Sequence, residues 1–225
     1  MEPLTSLAPD LWVATRPLPL IVGDIGTRMT VIRLRDGSLF LHSPVQLDGK
    51  TRAALDAVGP VRAVVAPSLV HHFFVGDYGT TYPQATLYAA PGLEKKRADV
   101  PFGAGLDDEP PAQWMGQLEQ HVFRGAPIMN EVVFFHPATR TLLLTDLAFN
   151  VTRPMSGRVR FFLRLVGARG FGPHRIIRFG VRDRDAARAS LERILQWDFD
   201  RVIVTHGDVL ESGGHAAMQA AFAWL

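Results

Sequence analysis

Three apolar runs in this chain each stop at a polar side chain, and no other feature limits the fold as much. Ala63-Val64-Val65-Ala66 runs into Pro67-Ser68-Leu69-Val70-His71-His72. Thr141-Leu142-Leu143-Leu144-Thr145 ends at Asp146, and Val202-Ile203-Val204-Thr205 ends at His206-Gly207. Short apolar runs bounded by turn signals read as buried strands, and strand ends that converge on one sheet edge are where α/β proteins build sites. Histidine and aspartate are also side chains that bind hard or borderline divalent cations. The pattern predicts a reactive or metal-binding edge and names no substrate.

Around these runs the first half reads as strands. Residues 29–34 and 38–42 form a hairpin through Asp36-Gly37, with Pro44 stopping the second strand. Residues 50–58 predict a helix closed by Gly59-Pro60, 61–66 and 85–89 predict strands, and 99–111 predict a loop. A second hairpin covers 131–136 and 141–145. In 183–196, Ala187, Leu191, Ile194 and Leu195 fall at helical spacing. A last strand spans 201–205 and a terminal helix 216–225. Hairpins early and helix–strand alternation later imply an α/β or α+β arrangement, with a mixed sheet or two sheets and helices outside.

Hydrophobic residues make up 47% of the 225, enough for a substantial core, and a net charge of +2 gives no case for nucleic acid. The absence of cysteine removes disulfides, thiolate ligands and cysteine nucleophiles. No basic segment followed by an apolar one opens the sequence, and no apolar stretch approaches a membrane span, so a cytoplasmic location is expected. There is no Gly-x-Ser-x-Gly elbow and no phosphate loop; Ser43 and Ser68 are weak candidates for nucleophiles.

Several segments together resemble the metallo-β-lactamase-like superfamily, and more closely its DUF4336 branch: His42-Ser43-Pro44, Pro67 with His71-His72, residues 130–136, Thr141 to Leu147, and His206-Gly207. The resemblance implies a four-layer αββα sandwich, with residues 1–225 as one domain. It also implies a reduced metal site. Aligned on the strand ending at Ala66, Ser68 and Val70 fall at the first two histidines of the family motif, His72 at its aspartate and Phe73 at its last histidine. Asn130-Glu131 stands where a further histidine is usual, whereas Asp146 and His206 match. A shift of one residue brings His71 into the motif instead. What remains implies one divalent metal (zinc, or iron or manganese) held by His72 or His71 with Asp146 and His206, or no metal.

The remaining assignments follow from position. Adjacent residues of extended chain point opposite ways, so one of His71 and His72 faces the edge. Asp146, after an apolar run, must be paired or metal-bound if buried. Asp146 and Glu131 are the candidate catalytic groups, with Glu131 as proton shuttle; His42 and Asn130 are supporting residues. His136 lies about 16 Å along its strand from that end and is structural. His121, His174 and His215 are expected on the surface or in loops.

Residues 151–182 hold eight arginines and no acid; subtracting eight from the net +2 leaves −6 for the rest. Phe161, Phe162, Leu165 and Val166 suggest one face of a helix there, flanked by Arg160 and Arg164. One reading is a flap that presents Arg153, Arg160 and Arg164 to an anionic small molecule, or lies on an anionic membrane surface. The other is an insertion whose arginines pair with Asp107, Asp108 and Glu109. Two functions follow: a metal-dependent hydrolase acting on a small anionic substrate, or a non-catalytic descendant of the fold that binds a ligand, a partner or a membrane surface.

Overall fold

A computed structural model of the chain describes residues 2–20, 23–152, 156–168 and 170–225. Two sheets dominate it. In the first, strands Thr5–Ala8, Leu11–Arg16, Thr27–Arg33, Leu39–His42, Val61–Ala66, Thr86–Ala89 and Ala104–Gly105 lie side by side in that order. The first four are antiparallel and the last four run parallel. In the second, Glu119–Val122, Val132–His136 and Thr141–Leu143 are antiparallel, and Arg201–Ile203 joins parallel to Thr141–Leu143.

Side-chain alternation turns these sheets into four layers. Along Val61–Ala66, Ala63 and Val65 face the second sheet, while Val64 and Ala66 face outward. Along Val132–His136, Val132 and Phe134 face the first sheet and Val133 and Phe135 face outward. The shared core between the sheets is built on Phe40, Trp114 and Phe134, whose rings meet edge to face. Helices Gly49–Val58 and Val75–Thr81 cover the first sheet through Leu55, Val75 and Tyr78. Helices Arg184–Ile194 and Gly214–Ala221 cover the second through Leu191, Ile194 and Met218. The result is an αββα sandwich.

The hairpin at Asp36-Gly37 forms as expected, with Arg33 opposite Leu39 and Gly37 at φ +82°. Asp48 and Asp183 cap their helices by accepting from the Thr51 and Ala186 amides. Helix Val75–Thr81 has no sequence signal, because its two glycines and two threonines are poor helix formers; burial of Val75 and Tyr78 decides it. The expected loop at 99–111 contains the edge strand Ala104–Gly105.

The arginine-rich segment contains helix Gly157–Val166, strand Gly170–Gly172 paired with Phe149–Val151, and helix Arg175–Gly180. Val159 and Leu163 bury themselves against Ile25, Phe149 and Ala168 in a small satellite core. Among the described residues no helix is long and apolar enough to cross a membrane.

Candidate metal centre

Strands Val61–Ala66, Thr141–Leu143 and Arg201–Ile203 deliver three side chains to one point. His71, Asp146 and His206 place one ligand atom each within 4.8 Å of one another, the one such group among the described residues. His71 Nε2 lies 3.2 Å from Asp146 Oδ2, and His206 Nε2 lies 3.5 Å from Asp146 Oδ1. All three are buried.

Each is aimed by a specific contact. Ser68 Oγ accepts from the amides of Val70 and His71, a tight turn that swings His71 inward. Ser43 Oγ stands 3.1 Å from His71 Nδ1 and fixes the other side of that ring. Ser43 adopts φ +56°, a conformation L-residues rarely take, so the strand end is bent to bring the hydroxyl there. His206 Nδ1 donates to the Gly26 carbonyl at 2.7 Å. Gly207, at φ +101°, lets the backbone pass so close to Asn150 that a Cβ would collide with the Asn150 carbonyl.

Asp146 sits on a loop gripped by Glu131. The Glu131 carboxylate accepts from the amides of Thr145, Asp146 and Leu147 at 2.6, 2.9 and 2.9 Å. Burial pushes its carboxyl up to about 7 against the pull of those donors.

The three groups are electrostatically coupled, with His71 raised by the Asp146 field against its burial. Burial alone would raise the Asp146 carboxyl, but the field and hydrogen bond of His71, with His206, hold it at about 2. Burial and the nearby His71 push His206 down to about 4, so its ring is neutral near neutral pH. Since Gly26 O can only accept, the His206 proton is on Nδ1, and the Nε2 lone pair faces the Asp146 carboxylate. Two acceptors confront one another there, while Asp146 Oδ2 has His71 Nε2 3.2 Å away. A group of this composition can hold a metal ion. A backbone carbonyl on the far ring nitrogen, as on His206, is the usual outer contact of a metal-binding histidine.

The cluster opens into a cleft of about 330 Å³. Ile25, Phe149, Phe162 and Val166 supply apolar wall, and His174 adds a ring over Phe149, centroids 4.7 Å apart. His174 was expected on the surface or in a loop; it lies in the loop before helix Arg175–Gly180, but buried, where it lines the cleft and leaves Nδ1 without a partner. Its neighbours Phe171-Gly172-Pro173 carry no periodic signal that would place it at the cleft.

Residues 10–161 match the family described as Domain of unknown function (DUF4336). The chain belongs to that family. No curated protein matches the sequence. Solved structures share the fold of this DUF4336 chain at low identity. A metallo-beta-lactamase from Erythrobacter litoralis, crystallised with beta mercaptoethanol in the active site, is 16% identical with a TM-score of 0.68, covering 99% of this chain and 96% of its own. The enzyme from Hirschia baltica is 13% identical with a TM-score of 0.66, covering 97% and 95%. FIM-1 from Pseudomonas aeruginosa in its mono-zinc form is 13% identical with a TM-score of 0.67, covering 98% and 95%. The DUF4336 chain therefore has the metallo-β-lactamase-like fold.

Several expected roles are corrected by this geometry. His72 does not join the cluster: its Nδ1 lies 3.0 Å from Arg97 Nη1, and burial with the charges of Lys96 and Arg97 pushes it down to about 4. Glu131, expected as a proton shuttle, has both oxygens committed to backbone amides and does not line the cleft. Asn130, at φ +43°, donates to the Pro91 carbonyl and braces a loop. His42 is buried beside Phe134 and held neutral, at about 3, by burial and by His71; the orienting contact comes from Ser43. Asp108 pairs with Arg124 and His121, not with the arginine segment. Arg160 and Arg164 are exposed on the outer face of their helix and take no part in the cleft wall; Arg153 lies outside the described residues. His136 bonds Thr139 at the far end of its strand, 2.8 Å away, consistent with a structural role.

Proposed function

We propose that this protein is a metal-dependent hydrolase that works with one divalent cation on a small substrate whose body is largely apolar. The observation that carries the reading is the convergence of His71, Asp146 and His206, with one ligand atom each within 4.8 Å of one another and His206 Nε2 facing Asp146 Oδ1. His71, Asp146 and His206 would hold the ion, which supplies Lewis acidity and lowers the pKa of water. The chain's own groups do the rest. The Gly26 carbonyl holds the His206 imidazole in the tautomer that keeps its Nε2 free, and Ser43 orients the His71 ring. The His174 ring lines the cleft, and burial keeps its pKa below the ordinary value, so it is a candidate to accept a proton there. Phe149, Phe162 and Val166 exclude water from the substrate body. An anionic substrate fits less well than the sequence implied, because the described arginines of the segment stand outside this wall.

Protein purified without chelators should contain about one divalent ion per chain. It should hydrolyse an uncharged aryl ester or lactone, and His174→Gln should lower kcat while leaving the metal content unchanged. Metal-free protein that cannot be loaded sinks the reading.

A second reading has its own support. The His71–Asp146 contact at 3.2 Å, with His71 raised by the Asp146 field against its burial, can close as an ion pair without metal. That state would belong to a non-catalytic descendant of the fold, and the same metal analysis separates the two.

A further inference from the structure

We propose that the rim of the cleft is a docking surface for an anionic lipid bilayer. This goes beyond the hydrolase reading and does not depend on it. Large apolar side chains gather at the cleft mouth and stand in solvent. Val70, Phe73 and Ile176 line the cleft and are 38%, 65% and 52% exposed. Phe161 and Leu165, 69% and 60% exposed, lie on the helix whose Phe162 and Val166 form the wall. Phe179, 78% exposed, follows Ile176 on the next helix. The two helices meet where Arg175 Nη1 donates to the Leu165 carbonyl at 3.2 Å. Among the described residues, the only other large apolar side chains so exposed are Met115 and Ile128.

Charge identifies the occupant. Arg158, Arg160, Arg164 and Arg175 are exposed on the two helices that carry Phe161, Leu165, Ile176 and Phe179, and residues 151–182 contain no acid. Lys96 adds a cation beside Val70 by donating to the Leu69 carbonyl at 2.6 Å. A second copy bound through the same patch would set arginine against arginine. A bilayer with anionic headgroups offers phosphates to the guanidiniums and an acyl layer to Phe161 and Phe179. With eight arginines and no acid in residues 151–182 and a formal −6 on the rest of the sequence, this segment is the part most strongly drawn to such a surface. The cleft mouth then opens onto the lipid, from which an apolar or amphipathic substrate can enter.

The test is co-sedimentation of the full chain, chelated and metal-loaded, with vesicles of phosphatidylcholine alone and of phosphatidylcholine mixed with phosphatidylglycerol. Binding is expected only to the mixed vesicles, in both metal states, and should weaken as salt rises. Arg160→Glu with Arg164→Glu should reduce it about 30-fold or more, about 1 kcal/mol for each arginine lost. Phe161→Ser with Phe179→Ser should reduce it about tenfold or more. Soluble short-chain phosphatidylglycerol or inorganic phosphate should not compete at matched ionic strength. Equal binding to both vesicles, no binding, or loss of binding to soluble phosphate would overturn the proposal. So would a wild-type dimer that the serine variants dissociate, which would make a second copy the occupant. The wild-type salt titration decides the case even where a variant fails to fold.

Discussion

At the floor of the cleft, Asp146 and His206 expose 6% and 4% of their surface, and backbone groups fix them: three amides on Glu131 hold the Asp146 loop, and the Gly26 carbonyl holds His206. At the rim, Phe161 and Phe179 expose 69% and 78%, and their arginine neighbours face water. A polar group in the floor was desolvated when the chain folded, so its partners decide stability and affinity. An apolar group at the rim has not been desolvated, and its burial remains available for binding something else.

The largest effect should come from Glu131→Leu, which keeps much of the bulk and orphans three buried amides. It should cost about 3–5 kcal/mol in denaturant unfolding, since each unsatisfied buried donor costs about 1–3 kcal/mol and the three are not additive. A loss below about 1 kcal/mol would mean water reaches those amides. Next, Asp146→Ala and His206→Ala should each weaken metal binding by more than about a hundredfold, the upper effect of a merely supporting group. A competing chromophoric chelator measures this, and retention in either variant places the metal elsewhere. Ser43→Ala should weaken metal binding about tenfold by freeing the His71 ring, with little change in stability.

A pH titration tests the floor without a metal. The unfolded ring of His42 takes up a proton near pH 6.5, whereas burial and His71 hold it at about 3 in the fold. Between those values the unfolded chain binds more protons, so stability rises with pH and is lost as pH falls through the window. His206, at about 4, adds the same sign. Glu131, raised to about 7, opposes it, because its contribution is lost as pH rises toward that value. Thermal unfolding of chelated protein should therefore move to lower temperature between about pH 6 and about pH 4, and His42→Leu should flatten the slope. The smallest effect belongs to the rim: Phe161→Ser and Arg160→Glu should change stability by less than about 0.5 kcal/mol. A larger loss from either would mean that the rim is packed structure after all.

These contrasts also explain what could be read in advance. Apolar runs ending in Asp146 and His206 were legible, because burial of a strand forces its period and its terminus. The choice between His71 and His72 was not, since it is made by the Ser68 turn, where extended-chain alternation no longer holds. Phe161, Phe162, Leu165 and Val166 read as one helical face; the satellite core instead takes Val159, Phe162, Leu163 and Val166, leaving Phe161 and Leu165 in solvent. Helical period was visible there, but its phase depended on Ile25 and Phe149, partners distant in sequence. Glu131 was legible as important and misread in role, because nothing in the sequence counts the amides that converge on it.

Arg28 gives the site a place in time. Its guanidinium donates to the carbonyls of Val204 and Gly207 at 2.6 and 2.7 Å, across 176 and 179 residues. Gly26 reaches His206 over a similar span. On a ribosome, the early strand carrying Arg28 emerges long before either carbonyl exists, and contacts of such sequence separation close late. The cluster of His71, Asp146 and His206 is thus expected to close late in folding. An ion supplied at synthesis would meet a sandwich whose sheets can form first and a centre that only the returning strand completes.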